Sequence, residues 1–400
     1  MPSVEKAREI ILSYIQTLPQ EKVSLEKALG RYLAEDIVSP LEIPSTDNSA
    51  MDGYAVRLDD VSSPGATLAI ASVLPAGYTP DHALEKGQAI KIMTGAPIPP
   101  GAEAVVKRED TTEGAATVTI NKVPKKHENI RFRGEDIRIG TTILHEGDLV
   151  GPAQIGVLAS MRRLVVPVRQ RPLVAVLATG DEILDIDEVP SDGKITSSNS
   201  YTMISLVKAA GGIPLYLGIA RDTREDLEKK LSAARKADLL LTSGGVSMGD
   251  YDLVKTVMAE EGNALVFWKV DMKPGRPLAF GMIKGMPTLG LPGNPVSTMT
   301  AFYQFARPAI LKMMGAHNIL LPRARARLSV ALEHKADRPE FMRGILVRKG
   351  DDLFVGPTGP QGSGVLTSMA SGNCYIILPQ GKANFGQGEF VECELYHEFS

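Results

Sequence analysis

The spacing of apolar positions changes several times along the chain, and each change predicts a different kind of structure. Near the N-terminus, Val4, Ala7 and Ile11 recur every three or four residues behind Ser3, which predicts a helix with a serine cap. A second short helix is predicted over 24–30. Residues 45–137 lack a long helical period and are rich in Val, Thr, Gly and Pro, which is typical of strands and turns. A helical pattern returns over 149–159, so the β-rich segment is predicted to be an insertion.

Between 173 and 314, short apolar runs alternate with helical patterns. This alternation predicts a parallel sheet covered on both faces, with ligands at the carboxyl ends of its strands. After about Arg325 the period returns to two, which predicts a small β-barrel or sandwich. The α/β strands are predicted over 173–177, 213–219, 238–241, 265–270, 278–280 and 288–291, and the helices over 201–210, 224–236, 250–261 and 296–314.

The chain is therefore predicted to be a multidomain α/β protein, because its 400 residues exceed the roughly 250–300 at which a single core stops growing. We expect four domains. They are a helical, dimerising N-terminal domain formed by 1–44 plus 138–170, an inserted β-rich domain at 45–137, an α/β domain at 171–318 and a C-terminal β-barrel at 319–400.

Composition narrows the function classes. A formal net charge of −3, from 44 basic and 47 acidic residues, gives no electrostatic reason to expect nucleic acid as a partner. Two cysteines argue against a disulfide framework or a Cys-rich zinc site, and we predict a buried structural thiol at Cys374. The histidines form no metal motif, and His334 shows no partner. Without a signal peptide or a run of about 18 apolar residues, a cytoplasmic protein is expected.

The segment LLLTSGGVSMGDYD at 239–252 carries the strongest chemical signal. An apolar run enters a Ser-Gly-Gly turn, where glycine lets backbone N–H groups approach an anion. Asp250 and Asp252 follow and could hold a hard cation. This combination predicts a phosphorylated, Mg²⁺-linked ligand. The anion-binding candidates in this segment are Ser243, Gly244, Gly245 and Ser247.

Other loops reach the same predicted edge of the sheet. Basic side chains there suit phosphate or an oxyanion, whereas carboxylates imply Mg²⁺ or hydrogen bonds to a sugar or base. The alternative is that Asp222 and Asp250 only cap helices and that Asp181 and Glu182 are solvated turn residues. The loop candidates are Thr179, Gly180, Asp181, Glu182, Asp222, Lys269, Lys273, Arg276, Pro292 and Pro295.

The β-rich insertion has a polar cluster of its own, which includes Asp52, Thr94 and the segment RFRGED at 131–136. The simplest interpretation of RFRGED is a solvated strand edge. A functional interpretation requires the inserted domain to face the α/β cleft.

Seven segments together resemble the molybdopterin molybdenumtransferase family, the proteins of the MoeA type, which are equivalent to the E domains of gephyrin and of the plant molybdenum insertases. The resemblance covers nearly the whole chain. The segments are STDNSAMDGYAV at 45–56, IMTGAPIPPGAEAVV at 92–106, RFRGEDI at 131–137, LATGDEI at 177–183, TSGGVSMGDYD at 242–252, KPGRPLAFG at 273–281 and LPGNPVS at 291–297.

The resemblance implies an elongated homodimer in which the α/β domain of one subunit faces the β-rich insertion of the other. The α/β domain would have the molybdopterin-binding fold shared with MogA adenylyltransferases and CinA-like proteins. The implied reaction is the Mg²⁺-dependent insertion of molybdate into adenylyl-molybdopterin with release of AMP. A contact with the molybdopterin adenylyltransferase is also implied.

The resemblance also implies roles for individual residues. Arg276 stands where some relatives have a second lysine, which keeps the charge but changes the donor geometry. Either Asp250 or Asp252 could be the functional carboxylate of its segment. Catalytic roles are implied for Asp52, Thr94, Asp136, Glu182, Asp222 and Asp252, Mg²⁺ binding for Glu182, Asp222, Asp250 and Asp252, and substrate contacts for Lys269, Lys273, Pro292, Pro295, Arg343 and Ser363.

Two other functions compete with this one. A MogA-like adenylyltransferase would make adenylyl-molybdopterin instead of consuming it, but only residues 173–314 support it. A gephyrin-like scaffold that binds partner peptides could use the C-terminal β-domain, but it would leave the acidic cluster without a purpose.

Overall fold

A computed structural model describes residues 1–244, 253–260 and 262–397. Its centre is a six-stranded sheet built from the apolar runs of the α/β region. Four neighbouring strands are parallel, as predicted, and their carboxyl ends meet at one edge. The strand order is Ile213–Ala220, Leu173–Thr179, Leu239–Ser243, Met286–Leu291, Ala279–Ile283 and Ala264–Trp268.

One strand of this order, Ala279–Ile283, runs antiparallel to both of its neighbours, so the sheet is parallel-rich, as predicted, and not wholly parallel. The cause is a two-residue turn at Lys284 and Gly285, whose φ angles of 50° and 82° are typical of a type I′ hairpin. The helices of this region are Ser198–Ala209, Arg224–Ala233, Leu253–Met258, Pro295–Ala301 and Arg307–Met313, with a 3₁₀ turn at Ala234–Lys236.

The predicted helix over 296–314 is interrupted by a π-helical turn at Phe302–Ala306. Pro308 has no N–H, so it cannot donate to the carbonyl of Gln304, four residues earlier. That carbonyl instead accepts a hydrogen bond of 3.0 Å from Nε of Arg8. The side chain of Arg8 thus ties the N-terminal helix to the interrupted one.

The N-terminal helix, Val4–Tyr14, is capped as predicted, since Oγ of Ser3 accepts from the N–H of Lys6 at 3.2 Å. Its buried side chains Val4, Ala7 and Ile11 belong to the same hydrophobic core as the α/β sheet.

Residues 20–44 and 138–169 form a separate small core around Leu33, Ile37 and Leu158. Strands contribute to it as much as helices do. The helix predicted over 24–30 is only a 3₁₀ turn at Leu25–Lys27, because Ser24 pairs with Val165 in an antiparallel ladder. The elements are the paired strands Gln20–Ser24 and Val165–Arg169, the pair Ile37–Val38 and Thr142–Leu144, and the helix Pro152–Ser160.

The β-rich insertion contains a second six-stranded sheet with an apolar core on each face. Shorter paired strands connect its ends to the neighbouring parts. The sheet order is Ala104–Lys107, Gly53–Val56, Gln88–Ile92, Ala66–Leu74, Thr117–Ile120 and Thr111–Glu113, beside the pair Asn48–Ser49 and Ile130–Arg131 and the 3₁₀ turns Leu58–Asp60 and Arg108–Asp110.

The C-terminal region closes into a five-stranded barrel, which is one of the two forms, barrel or sandwich, that the sequence predicted. Phe341, Tyr375 and Tyr396 extend from it into the core of the α/β sheet. Cys374 and Cys393 are free and buried. The barrel strands are Arg323–Leu328, Asp352–Pro357, Glu340–Lys349, Cys374–Leu378 and Phe390–Leu395, with the helix Thr367–Ser371 and the strand pair Leu332–Glu333 and Asn384–Phe385 beside them.

None of the described helices combines the length and the apolar character that crossing a membrane requires.

Candidate functional site

A cleft of about 520 Å³ opens at the carboxyl ends of the parallel strands. The strands Leu173–Thr179 and Leu239–Ser243 form its floor, and the loops that follow them form its walls. The sequence prediction of a site at this edge is consistent with the cleft. The predicted site residues that line it are Thr179, Gly180, Glu182, Asp222, Ser243, Gly244, Pro292 and Pro295.

Gly244 is required in this cleft by a close approach of the backbone. Gly244 has φ +87°, and a Cβ placed on it would lie 2.6 Å from the carbonyl oxygen of Thr179. A Cβ on Gly293 would lie 3.9 Å from Cα of Gly244, so the two turns also face each other closely. Glycine at position 244 therefore permits an approach to the Thr179 loop that a larger residue would prevent.

Asn199 is a cleft residue that the sequence analysis did not select. It lies in the first turn of the helix Ser198–Ala209, and its Nδ2 donates to Oγ of Ser243 at 2.8 Å and to the carbonyl of Gly293 at 2.7 Å. Its Oδ1 is buried and has no hydrogen-bond partner in the described part of the chain, and the same holds for Oγ1 of Thr179. These two atoms are available to a polar ligand.

Two carboxylates, Glu182 and Asp222, line the same cleft. Asp222 is held by reciprocal contacts, because the N–H of Asp181 donates to its Oδ2 at 3.3 Å and its own N–H donates to Oδ1 of Asp181 at 3.1 Å. Glu182 folds back over Gly180, where a Cβ would lie 2.5 Å from Oε2 of Glu182.

The described residues contain no group of three or more His, Cys, Asp or Glu side chains that could hold a metal ion. Two carboxylates nevertheless fit Mg²⁺, which is commonly bound through one or two carboxylates together with substrate phosphates. Four predicted residues of this segment, Gly245, Ser247, Asp250 and Asp252, lie outside the described residues.

The predicted basic residues are not among the lining residues of the cleft in the described chain. Lys269 has φ +77°, and its Nζ lies 3.7 Å from the centroid of the Trp268 ring. Lys273 places its Nζ 3.0 Å from both carboxylate oxygens of Glu340. Arg276 is exposed, and the next residue in the chain, Pro277, lines the cleft.

Arg343 is buried, and it is not a lining residue of the cleft. Its Nε donates to Oγ of Ser368 and its Nη2 donates to the carbonyl of Gly362, both at 3.0 Å, so the guanidinium supports the loop at 358–366. Burial lowers the pKa of Arg343 below its usual value. The carbonyl of Ser363 in this loop accepts from the N–H of Val296 at 3.1 Å, which brings Ser363 beside Pro295 of the cleft.

Asp52, Thr94 and Asp136 belong to the inserted part and are not among the described lining residues of the cleft. Oδ1 of Asp52 accepts from both the N–H and Oγ1 of Thr94, at 2.7 and 2.8 Å. These two hydrogen bonds, first from the backbone and then from the hydroxyl, lower the pKa of the Asp52 carboxyl. Asp136 is exposed, and its N–H donates to the carbonyl of Ile43 at 3.1 Å.

Comparison with known proteins shows which family has this sequence and fold. Three family models match consecutive parts of the chain: the MoeA N-terminal region (domain I and II) at 2–161, a probable molybdopterin binding domain at 175–312, and the MoeA C-terminal region (domain IV) at 325–396. A molybdopterin molybdenumtransferase of Haemophilus influenzae is 36% identical over 402 residues, which cover 99% of each chain. The chain belongs to the molybdopterin molybdenumtransferase family.

Other members support the assignment over the same length. The molybdopterin molybdenumtransferase of a Nostoc species is 36% identical, with 98% of this chain and 93% of that protein covered. The crystal structure of a molybdopterin biosynthesis MoeA protein from Pyrococcus horikoshii superimposes with a TM-score of 0.85 at 30% identity, and it covers 99% of this chain and all of its own.

Membership confirms the predicted function class. Molybdopterin molybdenumtransferases are enzymes of molybdenum cofactor biosynthesis that transfer molybdenum. The match extends through the inserted sheet and the barrel, which the adenylyltransferase alternative left unexplained.

Proposed function

We propose that this enzyme catalyses the Mg²⁺-dependent insertion of molybdate into adenylyl-molybdopterin and releases AMP. The observation that carries the proposal is the cleft itself, in which Glu182 and Asp222 share one cavity with the glycine turn at Gly244. A cavity of about 520 Å³ lies within the usual range for small-molecule sites, which is about 300–1,000 Å³.

The described residues of the cleft offer different groups to different parts of the substrate. The backbone around Gly244 can approach a phosphate closely because the residue carries no side chain. Oγ1 of Thr179 and Oδ1 of Asn199 are the buried polar atoms available to orient a bound pterin or adenylate. Oδ1 of Asn199 can only accept, so it selects a donor on the substrate.

Mg²⁺ would be held by Glu182 and Asp222, with Asp250 and Asp252 as further candidates. When bound, it would neutralise charge on the adenylate phosphates. The carboxylates would also position the oxygen that cleaves the adenylate linkage.

We further propose that the enzyme is a homodimer whose active site is shared between subunits. Support comes from six apolar side chains that are exposed in the region of the small N-terminal core. Backbone hydrogen bonds join their segments, from Leu25 to Leu164, from Gly30 to Val150 and from Ser39 to Thr141. Large apolar side chains that are exposed in neighbouring segments favour association. They are Leu29, Val38, Ile139, Leu149, Leu164 and Val165.

A shared site would give the inserted sheet a function. Asp52, Thr94 and Asp136 are candidates for catalysis from the sequence, but they are not among the lining residues of the cleft in the described chain. In a dimer, the inserted sheet of one subunit would bring them to the α/β cleft of the other. The substrate would come from a molybdopterin adenylyltransferase, with which a contact is proposed, and the setting would be the cytoplasm.

The reaction is tested with purified protein, adenylyl-molybdopterin, Mg²⁺ and molybdate. We expect AMP release that depends on molybdate and stops when Mg²⁺ is chelated. No molybdate-dependent AMP release would refute the proposal, and ATP consumption with molybdopterin would favour the adenylyltransferase.

The Mg²⁺ ligands are tested separately. Glu182→Gln and Asp222→Asn should raise the Mg²⁺ concentration needed for half-maximal AMP release. Glu228→Gln is the control, because Glu228 is exposed and pairs with Arg224 on the surface of a helix. An unchanged Mg²⁺ requirement in both cleft variants would remove these carboxylates from the metal site.

The dimer is tested by light scattering after size-exclusion chromatography. Leu164→Glu combined with Ile139→Asp should shift the mass towards that of a monomer. Val73→Glu, at an exposed apolar position of the inserted sheet, should leave the mass unchanged. A monomeric wild-type protein would contradict the proposal.

A further inference from the structure

Glu340 is a carboxylate buried where the barrel meets the α/β sheet. It is 3% exposed and begins the barrel strand Glu340–Lys349. Burying a carboxylate costs several kcal/mol unless charged and hydrogen-bonding partners replace its water. The partner is Lys273, whose Nζ lies 3.0 Å from both carboxylate oxygens.

The backbone reinforces this pair. The N–H of Lys273 donates to the carbonyl of Pro339 at 2.9 Å, and the N–H of Phe341 donates to the carbonyl of Lys273 at 2.7 Å. The loop at 273–276 therefore pairs with the start of the barrel strand. Lys273 is fixed at its main chain and at the end of its side chain by the same short segment.

His334 closes the other side of Glu340. Its side chain is 2% exposed, and its Nδ1 lies 3.6 Å from Oε2 of Glu340. Its Nε2 is 2.6 Å from the carbonyl of Lys382, which can only accept, so Nε2 carries a hydrogen. The imidazole is thereby anchored to the barrel, and the Glu340 carboxylate lies within 4.0 Å of both the imidazole and the Lys273 ammonium.

The Lys273 ammonium still has capacity for an anion. The side chain is 45% exposed, and an ammonium has three N–H donors, of which the two Glu340 oxygens can take at most two. The loop that carries it borders the cleft through Pro277.

We propose that Glu340 is a positioning residue for Lys273, which holds the ammonium at the rim of the cleft, where it contacts the anionic substrate. The inference rests on the proposed function, because it requires Lys273 to bind adenylyl-molybdopterin or molybdate. It gives the barrel a part in substrate binding through a residue that touches no substrate.

The test is a double-mutant cycle on the full-length enzyme. Glu340→Gln keeps the size of the side chain and removes its charge, and we expect the KM for molybdate or adenylyl-molybdopterin to rise about tenfold with kcat nearly unchanged. In a Lys273→Ala background the same substitution should add less than about twofold, because its effect passes through Lys273. Losses that multiply in the double variant would overturn the inference, and so would an unchanged KM in Glu340→Gln.

A second carboxylate of the barrel provides a matched control. Glu394 is 5% exposed and pairs with Nη2 of the more exposed Arg323 at 2.8 Å, so it has the same setting without Lys273. Glu394→Gln should leave both KM values unchanged, and an equal rise in this variant would show that barrel stability alone is responsible.

If Glu340→Gln does not fold, Glu340→Asp takes its place in the cycle, since it keeps the charge but withdraws it from Lys273. An inactive wild-type enzyme would refute the proposed function and not this inference. The same four proteins would then be compared by calorimetric titration with molybdate. The inference is supported if the Glu340 substitution weakens molybdate binding in the wild-type background but has no further effect in the Lys273→Ala background. Additive weakening in the double variant overturns it.

Discussion

Gly244 and Thr179 lie so close that a Cβ on Gly244 would stand 2.6 Å from the Thr179 carbonyl oxygen. Thr179 ends one parallel strand and Gly244 follows the adjacent one, so their contact joins the two strand ends at the floor of the cleft. The glycine turn that first indicates an anion site is thus also a steric requirement of the sheet edge.

Gly244→Ala should therefore destabilise the protein and damage the cleft. The residue has φ +87°, where an alanine is strained by about 1–3 kcal/mol, and the contact with Thr179 adds to that strain. Chemical denaturation should show the loss, and AMP release should fall further than the stability alone explains.

The control is Gly285→Ala, which has φ +82° and open space around its Cβ position. It should lose stability through backbone strain only and keep its activity. Equal losses of activity in the two variants would contradict the steric role of Gly244.

Thr94→Val should raise the pKa of Asp52. The hydroxyl is one of two Thr94 groups that donate to Oδ1, and the backbone N–H remains in the variant. A lowered pKa means that the carboxylate stabilises the fold above the ordinary aspartate pKa of about 3.9, and that this stabilisation is lost as pH falls through the lowered value. A carboxyl titration followed by NMR measures the shift.

Thr119→Val controls for the loss of a hydroxyl from the same sheet, since Thr119 pairs with Thr67 and with no carboxylate in the described hydrogen bonds. It should leave the Asp52 titration unchanged. An unaltered Asp52 pKa in Thr94→Val would mean that the backbone N–H alone lowers it.

Asn199→Ala should raise the KM for adenylyl-molybdopterin, because it frees Ser243 and Gly293 and removes the buried Oδ1 from the cleft. We expect an increase of about tenfold, the equivalent of one or two lost hydrogen bonds. Steady-state kinetics of AMP release provide the measurement.

Asn263→Ala is the matched control for this change. Asn263 also makes two hydrogen bonds, to the carbonyl of Val257 and from the N–H of Lys284, and it is not a described lining residue of the cleft. It should affect stability and leave KM unchanged, so a similar KM in both variants would refute a substrate contact by Asn199.

Mixed dimers should reveal whether the active site is shared. When Asp52→Ala and Lys273→Ala subunits are mixed in equal amounts, half of the dimers are mixed, and each of these has one intact site. The mixture should then recover about a quarter of the wild-type activity. Recovery no better than that of either parent would mean that both residues act within one subunit.

The sequence predicts the α/β sheet well because its strands are continuous apolar runs between glycine turns and capped helices. Thr223, for example, caps the helix Arg224–Ala233 by accepting from the N–H of Asp226. The reversed direction of Ala279–Ile283 was missed although Lys284 and Gly285 form a hairpin turn, since two adjacent apolar runs look alike in either direction. The helix predicted over 24–30 does not form, because antiparallel pairing with a strand about 140 positions later in the chain overrides the local helical pattern.

The site is predictable where a residue follows a strand in a recognisable motif, as Glu182 and Ser243 do. Asn199 follows a polar run and only a two-residue strand, Ile195–Thr196, so its place in the cleft depends on packing that the sequence does not display. Glu340 and His334 were missed for a similar reason, because Lys273 and the carbonyl of Lys382, their respective partners, lie in loops that are distant in the chain.

The hydrogen bond from Arg8 to the Gln304 carbonyl has a consequence for biosynthesis. The first helix emerges from the ribosome roughly 300 residues before the helix it packs against, which at about 5–20 residues per second corresponds to about 15–60 s. During that interval the side chains of Val4, Ala7 and Ile11 lack the part of their core that the later helix supplies. The apolar face of the first helix is thus exposed early in synthesis. A chaperone that shields the nascent N-terminus should therefore increase the yield of folded enzyme.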